Sequence, residues 1–70
     1  MTTIYQLMKN NKQIGGVYYN WGDAIDNAIQ IVIDSIKIGL RERVEIWEAE
    51  EIEDIPYDAL EWTKDSEVWL

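Results

Sequence analysis

The 70-residue chain has no cysteine, no histidine and no phenylalanine, and only one proline. Without cysteine there are no disulfide staples and no thiolate ligands for zinc or iron–sulfur centres. Without histidine, the side chain that does most general acid–base work near neutral pH is missing. Ser35 and Ser66 therefore have no imidazole to activate them as nucleophiles. Gly15-Gly16 lacks the Gly-Lys-Ser/Thr and the strand-to-helix setting of a phosphate loop. Paired carboxylates run glycoside hydrolysis, but a chain this short has little room for the walled cleft that the reaction needs. These absences exclude the common catalytic sets, and we expect a protein that is not an enzyme and uses no cofactor.

Long apolar runs are also missing. No stretch approaches the roughly 20 residues that span a bilayer, and Met1-Thr2-Thr3-Ile4-Tyr5 lacks the basic start and apolar stretch of a secretory signal. The expectation is a cytoplasmic protein without membrane contact, folded as one domain over residues 1–70. A domain of this size buries only about 60% of the surface that its unfolded chain exposes. With disulfides absent, a second subunit is the device left to add stability.

What the chain does carry is negative charge, −8 in all, and it is unevenly spread. In residues 1–40, Lys9, Lys12 and Lys37 balance Asp23, Asp26 and Asp34. In residues 41–70, Arg41, Arg43 and Lys64 face eleven carboxylates. Such asymmetry suggests a partner-facing region of one sign, although a solvated, solubilising face accounts for the same composition. It argues against direct nucleic-acid binding, which requires Lys and Arg to displace counterions from phosphates. Residues 48–58 hold six carboxylates but neither the central glycine nor the flanking helices of a calcium loop, so no metal site is expected.

Hydrophobic patterning predicts the elements. Residues 3–8 are β-branched, aromatic and aliphatic, as in a strand, and Lys9-Asn10-Asn11-Lys12 suits a tight turn because Asn tolerates positive φ. Gln13 to Tyr19 makes a second strand, with a bulge or close approach at Gly15-Gly16. Asn20 or Asp23 can cap a helix that runs from Ala24 to Ile38 and stops at Gly39. Ser35 falls on its apolar side, where a hydroxyl ordinarily bonds back to the main chain. Residues 43–50 alternate as a third strand, with Val44 and Ile46 on one face and Glu45, Trp47 and Ala49 on the other. Glu50 to Asp58 is an acidic connector. Leu60-Glu61-Trp62 and Val68-Trp69-Leu70 are either two short strands about Lys64-Asp65-Ser66 or one irregular arm. The fold class is α+β: a small, mainly antiparallel sheet with one helix packed on a face, in order ββαβ(ββ).

Two features bear on function. The predicted helix is apolar over about twice the arc of a little over 100° that one sheet covers. Either the C-terminal segment or a second copy must shield the surplus, and Ile29, Ile33 and Ile36 are the candidate contacts of a homodimer. The second feature is the choice of aromatics: four tryptophans and four tyrosines without phenylalanine. Their N–H and O–H groups favour partly wet surroundings, and such side chains often anchor interfaces; in a small domain they also serve as core. Trp47, Trp62 and Trp69 interleave with Glu45, Glu48, Glu50, Glu51, Glu53 and Asp54, and together these form the candidate partner-binding set. Carboxylates two residues apart on a strand are about 6.7 Å apart, similar in scale to successive phosphates.

In size, charge and architecture the chain resembles the small acidic proteins of bacteriophages and mobile elements, among them anti-CRISPR proteins and other nucleic-acid mimics. The resemblance spans the whole chain but rests on no family-specific motif and transfers no residue roles. The segregated charge and the interleaved Trp47, Trp62 and Trp69 point to an inhibitor or regulator that docks on a basic surface of a nucleic-acid-processing protein. The alternative is a homo-oligomerising accessory or structural module.

Overall fold

The computed structural model describes residues 2–69. Two strands, β1 (Thr2–Lys9) and β2 (Lys12–Tyr18), open the chain as a hairpin, followed by helix α1 (Trp21–Lys37). Strand β3 (Val44–Glu51), a connector with one 3₁₀ turn at Tyr57–Ala59, and strand β4 (Thr63–Val68) complete it. The sheet order is β2-β1-β3-β4, with every neighbouring pair antiparallel. Strands β2 and β3 therefore run in the same direction with β1 between them, and α1 is the crossover that such a parallel connection requires. The expected α+β class is observed, with the order ββαβ followed by the single strand β4.

Local chemistry explains the punctuation. Asn10 and Asn11 sit at φ of 53° and 64°, the positive values that a two-residue hairpin turn demands. Gly15, at φ 69°, accompanies a break in the β1–β2 register between Tyr5 and Leu7, where the bulge was expected. Asn20 caps the helix, its Oδ1 accepting the Asp23 backbone N–H at 3.2 Å. The helix begins three residues before the expected Ala24 because that cap admits Trp21 to the first turn. At its other end Gly39, at φ 84°, donates to the Ile36 carbonyl while the Leu40 N–H reaches the Ser35 carbonyl at 2.9 Å, satisfying the last turn.

The two faces of the sheet bury different clusters. Leu7, Val44 and Ile46 pack against Ala24, Ala28 and Val32 of the helix. On the other face, Ile4 and Ala49, paired across β1 and β3, are covered by Leu60 of the connector, with Val17 and Trp62 alongside. Strand alternation produces this split: Ile4 and Leu7 differ by an odd number of residues and so point to opposite sides.

The end of the chain differs from both sequence expectations. Lys64-Asp65-Ser66 is neither a turn nor part of an irregular arm; it lies within β4, which pairs with β3 from Glu48↔Thr63 to Val44↔Val68. A register break accommodates Asp65 as an extra residue, and its Oδ2 accepts the Trp21 indole N–H at 2.8 Å. Leu60, Glu61 and Trp62 form no strand, and of Val68-Trp69-Leu70 the last residue lies outside those described. Ser35 also differs: its buried hydroxyl donates to Glu42 Oε2 at 2.9 Å.

Candidate functional site

The strand register sorts the charges between the two ends of the sheet. The hairpin turn, the C-terminus of α1, the start of β3 and the end of β4 share one end. The start of β1, the end of β2, the N-terminus of α1 and the end of β3 share the other. Lys9, Lys12, Lys37, Arg41 and Arg43 all lie at the first end. Lys64, the last of the six cations, reaches back toward it to Glu45 and Glu67. Of the fourteen carboxylates, only Asp34, Glu42, Glu45 and Glu67 accompany them.

Three of those four are ion-paired. Glu42 meets Lys9 at 3.0 Å, and Glu67 and Glu45 meet Lys64 at 2.9 and 3.2 Å, with Arg43 3.5 Å from Glu67. The Lys9 ammonium and the Ser35 hydroxyl hold the Glu42 carboxyl below its ordinary value. The Trp47 indole N–H, followed by Lys64, does the same for Glu45, and Lys64 for Glu67. Lys64 is raised in turn by Glu67 and then Glu45.

The remaining carboxylates lie toward the other end or on the connector that leaves it, and none has a salt bridge among the described residues. Glu48 and Glu50 share the helix-side face of β3, with Glu50 accepting the Thr3 hydroxyl at 2.8 Å. Glu51 points to the opposite face and accepts the Tyr57 hydroxyl at 2.8 Å. Glu53 and Asp54 form an exposed turn. Asp65 and Asp23 add to this end from β4 and the helix. Among the described residues no three carboxylates converge as they would around a metal ion. Tyr5, next to this group, has its phenol pushed up by burial first and then by Glu48, Asp65 and Glu50, which reports the sign of the local field.

The proposed indole set does not stay together. Trp47 and Trp62 are half-buried on the sheet face opposite the helix; Trp47 donates to Glu45 Oε1 at 3.1 Å and Trp62 to the Tyr57 carbonyl at 2.6 Å. Trp69 follows β4 at the basic end, exposed beside Arg41, Arg43 and Glu67. Sequence alternation separated Trp47 from Val44 and Ile46 correctly, but it could not place Trp69, whose neighbours depend on the β3–β4 register. Of the isoleucines expected at an oligomer contact, Ile29 and Ile36 are 41% and 42% exposed and Ile33 is half-buried. The C-terminal segment does not shield them, because the connector crosses the other face of the sheet.

That crossing makes a feature that sequence reading missed. Gln6, Met8, Gln13, Val17, Tyr57, Asp58 and Trp62 line a cavity of about 520 Å³ on the outer sheet face. Gln6 and Gln13 are unremarkable in sequence; only the pairing Met8↔Gln13 and the path of the connector assemble them. Tyr57 is fixed by Tyr19, 3.1 Å away hydroxyl to hydroxyl, and by Glu51, and both contacts push its phenol upward. No helix among the described residues is long and apolar enough to cross a membrane. Comparison with known proteins gives no match to a family model, a curated protein or a solved structure.

Proposed function

We propose that the chain is an acidic binding protein that docks on the basic surface of a nucleic-acid-processing protein and inhibits or regulates it. The observation that carries this reading is the separation of charge. One end of the molecule gathers carboxylates that have no salt bridge among the described residues, while all six Lys and Arg side chains lie at the other end or reach toward it. Glu48 and Glu50, two apart on one strand face, repeat at about 6.7 Å, and Glu53, Asp54 and Glu61 extend the negative surface into the connector. A basic groove built for phosphates attracts such a surface, with charge acting mainly on the association rate. The open aromatic face that holds Trp47 and Trp62 supplies the apolar contact.

The test uses Glu50→Lys, Glu53→Lys, Asp54→Lys and Glu61→Lys together, all at exposed positions. Proteins captured from a host lysate at low and high salt are identified, and the association rate is then measured with the one captured. Capture of a basic nucleic-acid enzyme, competition with its nucleic acid, and association slowed at least about tenfold by the reversal are expected. Capture and rate untouched by the reversal in a folded variant overturn the reading.

The helix favours a second reading, a homodimer through Ile29, Ile33 and Ile36. Asp23 and Asp26 lie near its start, and Lys37 and Arg41 at and beyond its end. Two copies with antiparallel helices would set each acidic start against the partner's basic end while covering the isoleucines. Sedimentation tests it: a dimer dispersed by Ile29→Glu with Ile36→Glu is expected, and a monomer at high concentration removes it.

A further inference from the structure

The cavity under the connector is lined by two aromatic side chains, two amides and a carboxylate. Trp62 and Tyr57 line it, and each has its polar group tied to the protein. The Trp62 indole N–H is committed to the Tyr57 carbonyl at 2.6 Å, and the Tyr57 hydroxyl to Glu51 at 2.8 Å. These bonds restrain the two side chains before any ligand arrives, which reduces the freedom lost on binding. Asp58 lines the same space with no hydrogen bond or salt bridge among the described residues. Gln6 lines it too, and none of its amide groups has a hydrogen-bond partner among those residues; Gln13 uses only its Nε2, donated to the Gly15 carbonyl at 2.7 Å. Amide oxygens are thus free to accept. Among the described residues, no cation of the chain lines the space.

Resting on the reading above, we infer that this cavity receives an arginine side chain of the basic partner. A guanidinium is planar, stacks on aromatic faces, and offers several donors in one plane to a carboxylate and to amide oxygens. Tyr57 and Trp62 supply the faces, Asp58 the charge, and Gln6 and Gln13 the further acceptors. An anion would meet the Asp58 carboxylate; a purely apolar ligand would leave that carboxylate and the two amides unsatisfied. Lysine matches the charge but not the plane. A volume of about 520 Å³ admits the side chain with its flanking backbone, so the partner enters as a loop or chain end.

The probe is a capped Gly-Arg-Gly peptide titrated into the isotope-labelled protein and followed by NMR. The controls are the same peptide with citrulline, which keeps the shape and loses the charge, and with lysine. Saturable shifts of the Trp62 indole N–H and of the Gln6 and Gln13 side-chain amides are expected. Affinity should fall about tenfold with citrulline and about tenfold in Asp58→Asn. Asp58 is exposed and unpaired among the described residues, so this variant should keep its fold, checked by its unchanged backbone spectrum. Equal binding of citrulline, or shifts confined to Glu48–Asp54, overturns the inference. Polylysine titrated in parallel reports on the acidic end alone, and Asp58→Asn should leave its salt-dependent affinity within about twofold. If the arginine peptide seats while the charge-reversed variant still captures partners, the cavity stands and the charge reading falls. The opposite pair of results removes only the cavity.

Discussion

Leu60 holds the connector on the sheet, and its truncation should loosen the candidate site before it unfolds the domain. The side chain is 8% exposed and, with Ile4 and Ala49, makes a cluster separate from the one under the helix. Leu60→Ala removes the equivalent of about two to three buried methylenes, worth about 2 kcal/mol at 0.8 kcal/mol each. Core Leu→Ala changes span about 2–5 kcal/mol. This site belongs at the low end, because Trp62 and the connector backbone can settle into the space. A 70-residue domain holds about 3.5–10 kcal/mol in total, so the loss is a large share. With a urea slope near 1 kcal/mol/M, the midpoint should fall by about 2 M. The Trp62 indole N–H, tied to the Tyr57 carbonyl, should lose hydrogen-exchange protection earlier than amides of β1 and β3 at Leu7 and Ile46. A midpoint within about 0.5 M of the parent, or a Trp62 signal that opens only with those strand amides, would refute the idea of a separately anchored connector.

Removing the helix cap by Asn20→Ala should cost about 1 kcal/mol and lower Tm by about 4–8 °C; thermal melts check it, and Asn20→Ser should recover most of the loss. Gly22→Ala should gain little of the usual helix benefit in a thermal melt, since an added Cβ would lie 2.9 Å from Asn20 Oδ1 and push it off the Asp23 N–H that it caps. Acid should weaken the basic end. Glu42, Glu45 and Glu67 are held below their ordinary 4.5, so their contribution is present above that pH and is lost as pH falls through the lower folded values. Lys64 is raised above 10.5, and its contribution is complete below that value and lost as pH rises past the folded one. Tm measured against pH should therefore decline on the acid side below about 4.5, and less steeply in a variant with all three glutamates changed to Gln. Parallel acid slopes in the two proteins would contradict the pairing.

The elements with strong local chemistry were legible from residues alone. Asn10-Asn11 announced the hairpin, Gly15 the bulge, Asn20 the cap and Gly39 the helix stop, because each meets a backbone demand that few other residues satisfy. Alternation in β3 assigned Val44 and Ile46 to one face and Trp47 and Ala49 to the other, which the packing bears out. The failure came in Thr63–Val68. Thr-Lys-Asp-Ser-Glu-Val has one strongly apolar residue and no buried one, so periodicity had nothing to register. What makes it a strand is the neighbouring edge of β3, together with the Trp21–Asp65 bond, and both are long-range. The cavity on the outer sheet face escaped the sequence for the same reason. Tyr57 and Asp58 read as a polar connector, and nothing in the chain before folding connects them to Gln6 and Gln13.

Charge illustrates how topology rewrites a sequence signal. The excess in residues 41–70 looks like an acidic C-terminal segment, yet Glu45 and Glu67 belong to the basic end because β3 and β4 run antiparallel and bring both beside Lys64. Asp23 travels the other way, joining the acidic end because the helix starts there, beside Asp65. The two ends are a strand's length apart, about 25 Å for the eight residues of β3, against the roughly 8 Å over which charges act in physiological salt. Cations at one end therefore do little to offset carboxylates at the other. An approaching basic surface meets a negative charge that is locally denser than the whole-chain −8 implies. The ion pairs at the basic end are partly exposed and each worth little, so added salt should weaken binding of the proposed basic partner at the acidic end while disturbing the fold little.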